Sequence, residues 1–411
     1  MKIGIVGGSI AGCTSAILLR KEGHRVIIFE RSKKTLVGRG GGIGTLPTLL
    51  DQLIKEGMVS ENFPYFPITT MPFVGKSKKY EPYGRTAWAM PMNLSVFHWQ
   101  TLWNDLRSKV PDESYLGGHE VIHAEQTSDN KVKITTSNGK NEKFDIVLFA
   151  DGYNSLGRRL LFPDINLRYR GYVLWRGLLA ESEMGEEGPL NDTLPRLSYA
   201  GSPGHMVIYY IPSHNGSIRK GDRIFNWAAY IPVLTEELEN LMTDPSGKIW
   251  NGTLPPGKMR KEKESELKNF LSQQIPSYYA EVVNKTQNSY VQVIYTLDLP
   301  SYYKDKMCLI GDAGMVIQPF TGSGVFKGYH NVVDLISVLK EGYPMDEALE
   351  RWSDQQLHNA RRFLELGEQM EKAFIWNQLD FASVDEKTTE NWWNASVMFP
   401  ENFNYQKKKN L

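Results

Sequence analysis

The stretch "GGSIAG", Gly7 to Gly12, follows the apolar run "KIGIV" (Lys2 to Val6) and precedes residues whose apolar members Ile17, Leu18 and Leu19 read as the buried face of a helix. A turn between strand and helix needs glycine where backbone approaches backbone or a phosphate. It also aims the free N–H groups and the dipole of the helix at negative charge. Gly7, Gly8 and Gly12 meet that need, while Ser9 stands where a G-x-G-x-x-G turn has its second glycine. Two readings compete: a dinucleotide cradle in which the Ser9 hydroxyl donates to a phosphate oxygen, and a hydrolase elbow close to G-x-S-x-G in which Ser9 is the nucleophile. Glu30 separates them. It closes the second apolar strand, "HRVIIFE" (His24 to Glu30), at the distance where a dinucleotide fold places the acid that accepts ribose hydroxyls.

Composition bounds the rest. The chain has 411 residues and is 41% hydrophobic, enough for a sizeable core and roughly two to three domains. Lys plus Arg and Asp plus Glu both number 47, so no global field draws it to nucleic acid or to an anionic membrane. The run Lys407-Lys408-Lys409 reads as a solvated tail. Cys13 and Cys308 are too few for a disulfide framework and sit in apolar stretches, as small buried thiols do. With no basic leader before the first strand and no apolar run of the ~20 residues that cross a bilayer, the expected location is cytoplasmic. The eight histidines form no metal-ligand pattern with acids or cysteines, so no metal is expected.

Further along, "FDIVLFADG" (Phe144 to Gly152) and "MCLIGDAG" (Met307 to Gly314) repeat one design, a buried strand ending in an acid beside glycine. Three such strand ends point to one split domain with a parallel sheet. Between them, "GYVLWRGLL", "HMVIYYIP" and "RIFNWAAYIPV" are short β-type runs separated by Pro, Gly and Asn, the texture of an antiparallel sheet. From Met345 the pattern turns helical, with Phe363, Leu366, Met370 and Phe374 on one face. Glu30, an acid, argues against a 2′-phosphate. "LIGDAG" followed by "PFTGSGVFKG" (Pro319 to Gly328) favours FAD, because Asp312 can accept a ribityl hydroxyl and a helix start can hold charge on a reduced flavin.

Taken in order, "GGSIAG…FE", "ADGYNS" with Arg158, and "GDAG…PFTGSG" resemble the class A flavoprotein monooxygenases, the single-component aromatic hydroxylases related to para-hydroxybenzoate hydroxylase. "GRGGGIG", "GYVLWRG" and "QPFTGSGVFKG" look nearest the branch containing 2,6-dihydroxypyridine 3-hydroxylase. The resemblance implies an α/β fold. A Rossmann-like FAD-binding domain of GR2 type (1–72, 97–169 and 296–342) would carry an inserted, mostly antiparallel substrate sheet (73–96 and 170–295) and a C-terminal helical segment (343–411). It implies FAD as cofactor, NADPH or NADH as reductant, and O₂ activated as a flavin C4a-hydroperoxide that hydroxylates an aromatic or heteroaromatic ring. Whether the helical end packs on the FAD-binding domain or on a second subunit of a homodimer stays open.

Residue by residue, the resemblance sets Gly7, Gly8, Ser9 and Gly12 against the FAD pyrophosphate, and Glu30 and Arg31 at the adenosine ribose. Arg39 and Gly42 would lie near the ribityl chain, and Gln100 on a helix where many relatives carry an arginine. Asp151 and Gly152 would match the DG pair, Asp312 would hold the ribityl chain, and Pro319, Gly322, Ser323, Gly324 and Val325 would border the isoalloxazine. Met315 and Asn331 depart from the family's usual His and acid. Candidate substrate contacts are Arg176, Tyr210, Asn226 and Trp227, with Tyr209 alternating beside them. Lys327 is a cation in a helix first turn, and His98, His205 and His330 are acid/base candidates only if they reach the pocket. Within the same fold a reductase or halogenase competes, and outside it a non-catalytic flavin sensor.

Overall fold

The computed structural model describes residues 1–33, 36, 40–185 and 188–397; Arg39 and the Lys407–Lys409 run lie outside the described residues. The chain begins β1 (Lys2–Val6), α1 (Ile10–Lys21), β2 (Arg25–Glu30), β3 (Gly42–Thr45), α2 (Pro47–Lys55), β4 (Phe66–Gly75), β5 (Arg85–His98) and α3 (Trp99–Ser108). It continues through β6 (Tyr115–Gly117), β7 (Val121–Gln126), β8 (Val132–Thr136), β9 (Asn141–Phe144), β10 (Ile146–Phe149), α4 (Leu156–Leu161), β11 (Arg168–Ala180), β12 (Arg196–Ser198), β13 (His205–Ile211) and β14 (Ile224–Pro232). The last part comprises α5 (Thr235–Leu241), β15 (Thr253–Leu254), α6 (Lys261–Gln274), α7 (Ser277–Lys285), β16 (Tyr290–Thr296), β17 (Tyr303–Lys304), β18 (Met307–Leu309), α8 (Lys327–Lys340), α9 (Met345–Glu371) and α10 (Glu386–Val397).

β1, β2, β10 and β18 are near-continuous apolar runs, and they pair in parallel because only a sheet covered on both faces suits such strands. Their sheet runs β17-β18-β10-β1-β2-β6, with β17 alone antiparallel to its neighbour. The acid-and-glycine strand ends thereby come to one edge of one sheet. A second sheet of nine strands runs β15-β16-β11-β14-β13-β12-β4-β5-β3, and β7, β8 and β9 form a small antiparallel sheet.

The sheets cut across the spans read from the sequence. β3 and the start of β4 belong to the nine-stranded sheet, although both fall in the 1–72 span assigned by sequence to FAD binding. A four-residue "GIGT" strand carries no sign of which edge it will join; its pairing with Ser95–His98 decides that. β3 sits at the far edge of this sheet, yet its Gly42 N–H donates to Asn226 Oδ1 of β14 at 2.7 Å. The Gly42 carbonyl accepts from Arg176 Nη2 of β11 at 2.8 Å. The sheet therefore curls until its edge strand faces its own centre, enclosing a cavity.

α9 buries Trp352, Phe363, Leu366 and Met370 along one stripe, as the helical spacing predicts. It runs into a π-type segment, Lys372–Trp376, where Phe374 and Ile375 offer carbonyls sideways: Ile375 O accepts from Gly204 N at 2.8 Å, and Phe374 O from His205 Nδ1 at 3.0 Å. The end of α9 is thus stitched to the start of β13. Gly12 sets how closely α1 follows β1, since a Cβ there would stand 1.9 Å from the Gly7 carbonyl oxygen. Gly12→Ala should lower stability by about 3 kcal/mol, the upper end for overpacking, read as a fall in the urea midpoint at unchanged slope.

Candidate active site

The turn after β1 is held by backbone contacts that only glycine permits. Gly7 has φ +104°, and a Cβ on it would lie 2.4 Å from Ala150 O. Gly8 has both peptide groups engaged. Its N–H donates to Glu30 Oε2 at 2.8 Å, while its carbonyl accepts from Trp103 Nε1 at 2.9 Å and Tyr115 Oη at 3.1 Å. Gly8 therefore shapes the turn and does not line the cavity. Ser9 is the extended N-cap of α1, and its side chain makes no cap hydrogen bond. Ser9, Ile10 and Ala11 line the cavity, and the first-turn N–H groups of α1 have no partner within the helix. Glu30 Oε1 accepts from Ser32 N at 2.9 Å, so the buried carboxylate braces both turns and still borders the cavity beside Arg31.

One cavity of about 860 Å³ extends from this turn. Asp151 and Gly152, Asp312, and Pro319, Gly322, Gly324 and Val325 line its middle. Arg158 ties the two acidic loops together, donating through Nη2 to Tyr153 O at 2.5 Å and through Nη1 to Ala313 O at 3.3 Å. Asp151 Oδ2 caps α4 through Leu156 N at 2.7 Å, and Oδ1 is buried without a partner. Lys327, the cation against its helix dipole, is buried and accounted for: Nζ meets Asp312 Oδ1 and Met315 O, each at 2.5 Å. Asn331 joins the loop to α9: Oδ1 accepts from Gly311 N at 2.8 Å and Nδ2 donates to Gln356 Oε1 at 2.8 Å.

The far end of the cavity is floored by the curled sheet. Arg176, Val207, Tyr209, Asn226, Ala228 and Tyr230 line it, alternate residues of β11, β13 and β14. Tyr210 and Trp227 are corrected by the same alternation: they point to the opposite face. Tyr210 packs on Phe225 at 4.7 Å under the Arg223 guanidinium, and Trp227 Nε1 donates to Thr286 Oγ1 at 2.9 Å. The sequence reading left out Tyr230; the spacing Asn226, Ala228, Tyr230 is the signal that finds it. Trp99 also lines the cavity, whereas Gln100 and Ser323 do not. His98, His205 and His330 stand outside its lining as well. Among the described residues no group of three His, Cys, Asp or Glu side chains could hold a metal ion.

The donor set fits FAD. A helix start with a free serine hydroxyl suits a pyrophosphate, Glu30 suits a ribose, and Asp312 suits a ribityl chain. The floor beyond the turn is apolar and aromatic with a few convergent polar groups.

Two family models match the chain: an NAD(P)-binding Rossmann-like domain over residues 5–38 and an FAD binding domain-like model over residues 169–296. The 2,6-dihydroxypyridine 3-monooxygenase of Paenarthrobacter nicotinovorans is 27% identical over 376 residues, covering 88% of this chain and 89% of that protein. The 3-amino-4-hydroxybenzoate 2-monooxygenase of Streptomyces cremeus is 26% identical, covering 87% and 83%. The solved structure of 2,6-dihydroxypyridine-3-hydroxylase from Arthrobacter nicotinovorans superposes with a TM-score of 0.82 at 23% identity, over 97% of this chain and 96% of that one.

Ser9→Ala should weaken FAD retention several-fold with unchanged folding, read by the flavin left after gel filtration, and should remove no esterase activity. His98 supplies a pH test. Burial first, then His214 and Arg176, push its pKa down to about 4, so it stays neutral while capping Gln100 N. Its folded value lies below the unfolded one, so its contribution is complete above about pH 6.5 and is lost as pH falls toward 4. Between pH 7 and 5 this should cost about 2 kcal/mol, and His98→Asn, which keeps the cap but cannot titrate, should flatten that slope in denaturant unfolding.

Proposed function

We infer that this FAD-dependent monooxygenase of class A type uses NADPH or NADH and O₂ to hydroxylate a small aromatic or heteroaromatic compound. One observation supports the reading above others: the nucleotide turn, the acidic loops and the aromatic floor open into a single cavity, joined where Arg176 and Asn226 grip the two sides of the Gly42 peptide. Bound FAD would supply the redox chemistry, relaying two electrons from the nicotinamide to O₂ so that one oxygen atom can enter the ring and the other leave as water.

The chain's own residues position and shield. Ser9 and the start of α1 would hold the pyrophosphate, Glu30 and Arg31 the adenosine ribose, and Asp312, oriented by Lys327, the ribityl chain. Gly322, Gly324 and Val325 would border the ring system, and Leu174, Val207 and Ala228 keep the substrate end dry. Burial pushes the Tyr209 and Tyr230 hydroxyls up to about 12, against the opposite pull of nearby guanidinium groups. Both therefore remain phenols at neutral pH, able to donate to an oxygen on the substrate ring. Arg176 Nη1 and Nη2 are engaged by Gln292 Oε1 at 3.2 Å and the Gly42 carbonyl, while Nε is buried without an acceptor.

The purified protein should be yellow, and hydroxylated pyridines or phenols should accelerate its oxidation of NADPH or NADH, with one ¹⁸O atom from ¹⁸O₂ in the product. A colourless protein with no affinity for FAD would sink the reading. Bound flavin that no ring accelerates would favour the sensor, and accelerated turnover without oxygen in the product would favour a reductase.

A further inference from the structure

Lys327 opens α8 with a cation where the helix dipole disfavours one. It is nonetheless only 7% exposed and lines the cavity, with Nζ at 2.5 Å from both Asp312 Oδ1 and Met315 O. Burying an ammonium beside a helix start is unfavourable unless a neighbouring charge needs it. Asp312 does not need it in the free protein, because its side chain is 47% exposed and water solvates the carboxylate. Once a cofactor covers the loop that water is gone, and Asp312 without Lys327 would stand as an uncompensated negative charge.

The stretch before Lys327 is shaped to meet negative charge. Lys327 N–H donates to Ser323 O at 3.2 Å and closes the turn, while the N–H groups of Gly324, Val325 and Phe326 have no hydrogen-bond partner among the described residues. Gly322, Gly324 and Val325 line the cavity, and a Cβ on Gly322 or Gly324 would meet nothing within 4 Å. The other cation at the acidic loops is Arg158. Asp151 acts on it more strongly than Asp312 does, and its Nη1 and Nη2 are spent on the Ala313 and Tyr153 carbonyls. Two acids therefore face two cations, and without Lys327 the acids would be in excess. A hydride carries two electrons and one proton, so a flavin ring reduced by a nicotinamide gains one negative charge.

Resting on the FAD reading, we propose that Lys327 sets the reduction potential of the cofactor. Its ammonium cancels the field of Asp312, so the free N–H groups before α8 meet the charge of the reduced ring unopposed. Lys327 is then a positioning residue that acts through the Asp312 pair and its own field. Its unfavourable place in the free protein is offset when the flavin is reduced.

The test is anaerobic reduction of the FAD-loaded protein in equilibrium with dyes of known potential. Lys327→Gln, which keeps a donor for Met315 O, should shift the two-electron equilibrium toward oxidised flavin about tenfold, a fall of about 30 mV. Lys327→Arg, which keeps the charge, should stay near the wild type. Asp312→Asn should raise the potential, because Lys327 then acts alone. Adding Lys327→Gln to Asp312→Asn should lower it again, which separates the field of Lys327 from a role in merely holding Asp312. Where a variant loses flavin on gel filtration, the same ratio is read from the affinities of its apoprotein for oxidised and for dithionite-reduced FAD, by tryptophan fluorescence. The proposal falls if Lys327→Gln leaves the potential unchanged or raises it, if it weakens both forms of FAD equally, or if the double variant matches Asp312→Asn. A lowered potential in Asp312→Asn overturns it independently of any Lys327 variant. A wild-type protein that binds no flavin would instead overturn the FAD reading beneath it.

Discussion

The peptide of Gly42 is gripped on both sides, its N–H by Asn226 and its carbonyl by Arg176. Everything the cavity does depends on that grip. It brings β3, the edge strand of the nine-stranded sheet, against β11 and β14 at its centre, where all three residues line the cavity. Space there is tight: a Cβ on Gly42 would stand 2.7 Å from Asn226 Cγ. The residues that hold the sheet closed also line the cavity, so closure and ligand recognition share the same side chains.

At the other end the design is the reverse. The nucleotide turn is rigid because its polar groups are spent on the fold: Glu30 braces Gly8 and Ser32, and Trp103 and Tyr115 hold the Gly8 carbonyl. Ser9, the opening of α1 and the cavity border of Glu30 are left for a ligand. The floor instead keeps polar atoms unspent: Arg176 Nε and Asn226 Nδ2 are buried without partners. A preformed cradle beside an unsatisfied pocket suits a resident cofactor beside a transient substrate, since binding at the pocket recovers interactions that the free protein lacks.

The end of α9 connects the two ends of the cavity. Glu371 accepts from Gln318 Nε2 at 2.8 Å and from Tyr172 Oη at 3.2 Å while paired with Arg170, so the residue before Pro319 is tied to the curled sheet. Phe374, a helix turn further on, covers Arg196 and bonds His205. The helical pattern marked Phe374 as one of a buried stripe, but the π-type turn that aims its carbonyl sideways has no counterpart in residue spacing.

What the sequence determined by itself was whatever one segment can encode. Apolar runs ending in acid and glycine specified a parallel sheet, and the Gly7 to Gly12 turn with Glu30 specified a nucleotide site, because strand, turn and helix lie next to each other along the chain. The helical stripe from Phe363 to Phe374 was legible for the same reason. Only the tertiary structure decided which way the middle strands face. Tyr209 and Tyr210 are equally aromatic and adjacent, and a shift of one residue exchanges cavity for core. The Gly42 grip and the straight row from Arg176 through Ala228 and Val207 to Arg196 were likewise invisible. Each is a relation between residues far apart in the chain, fixed by the register of strands that meet only once the sheet has curled.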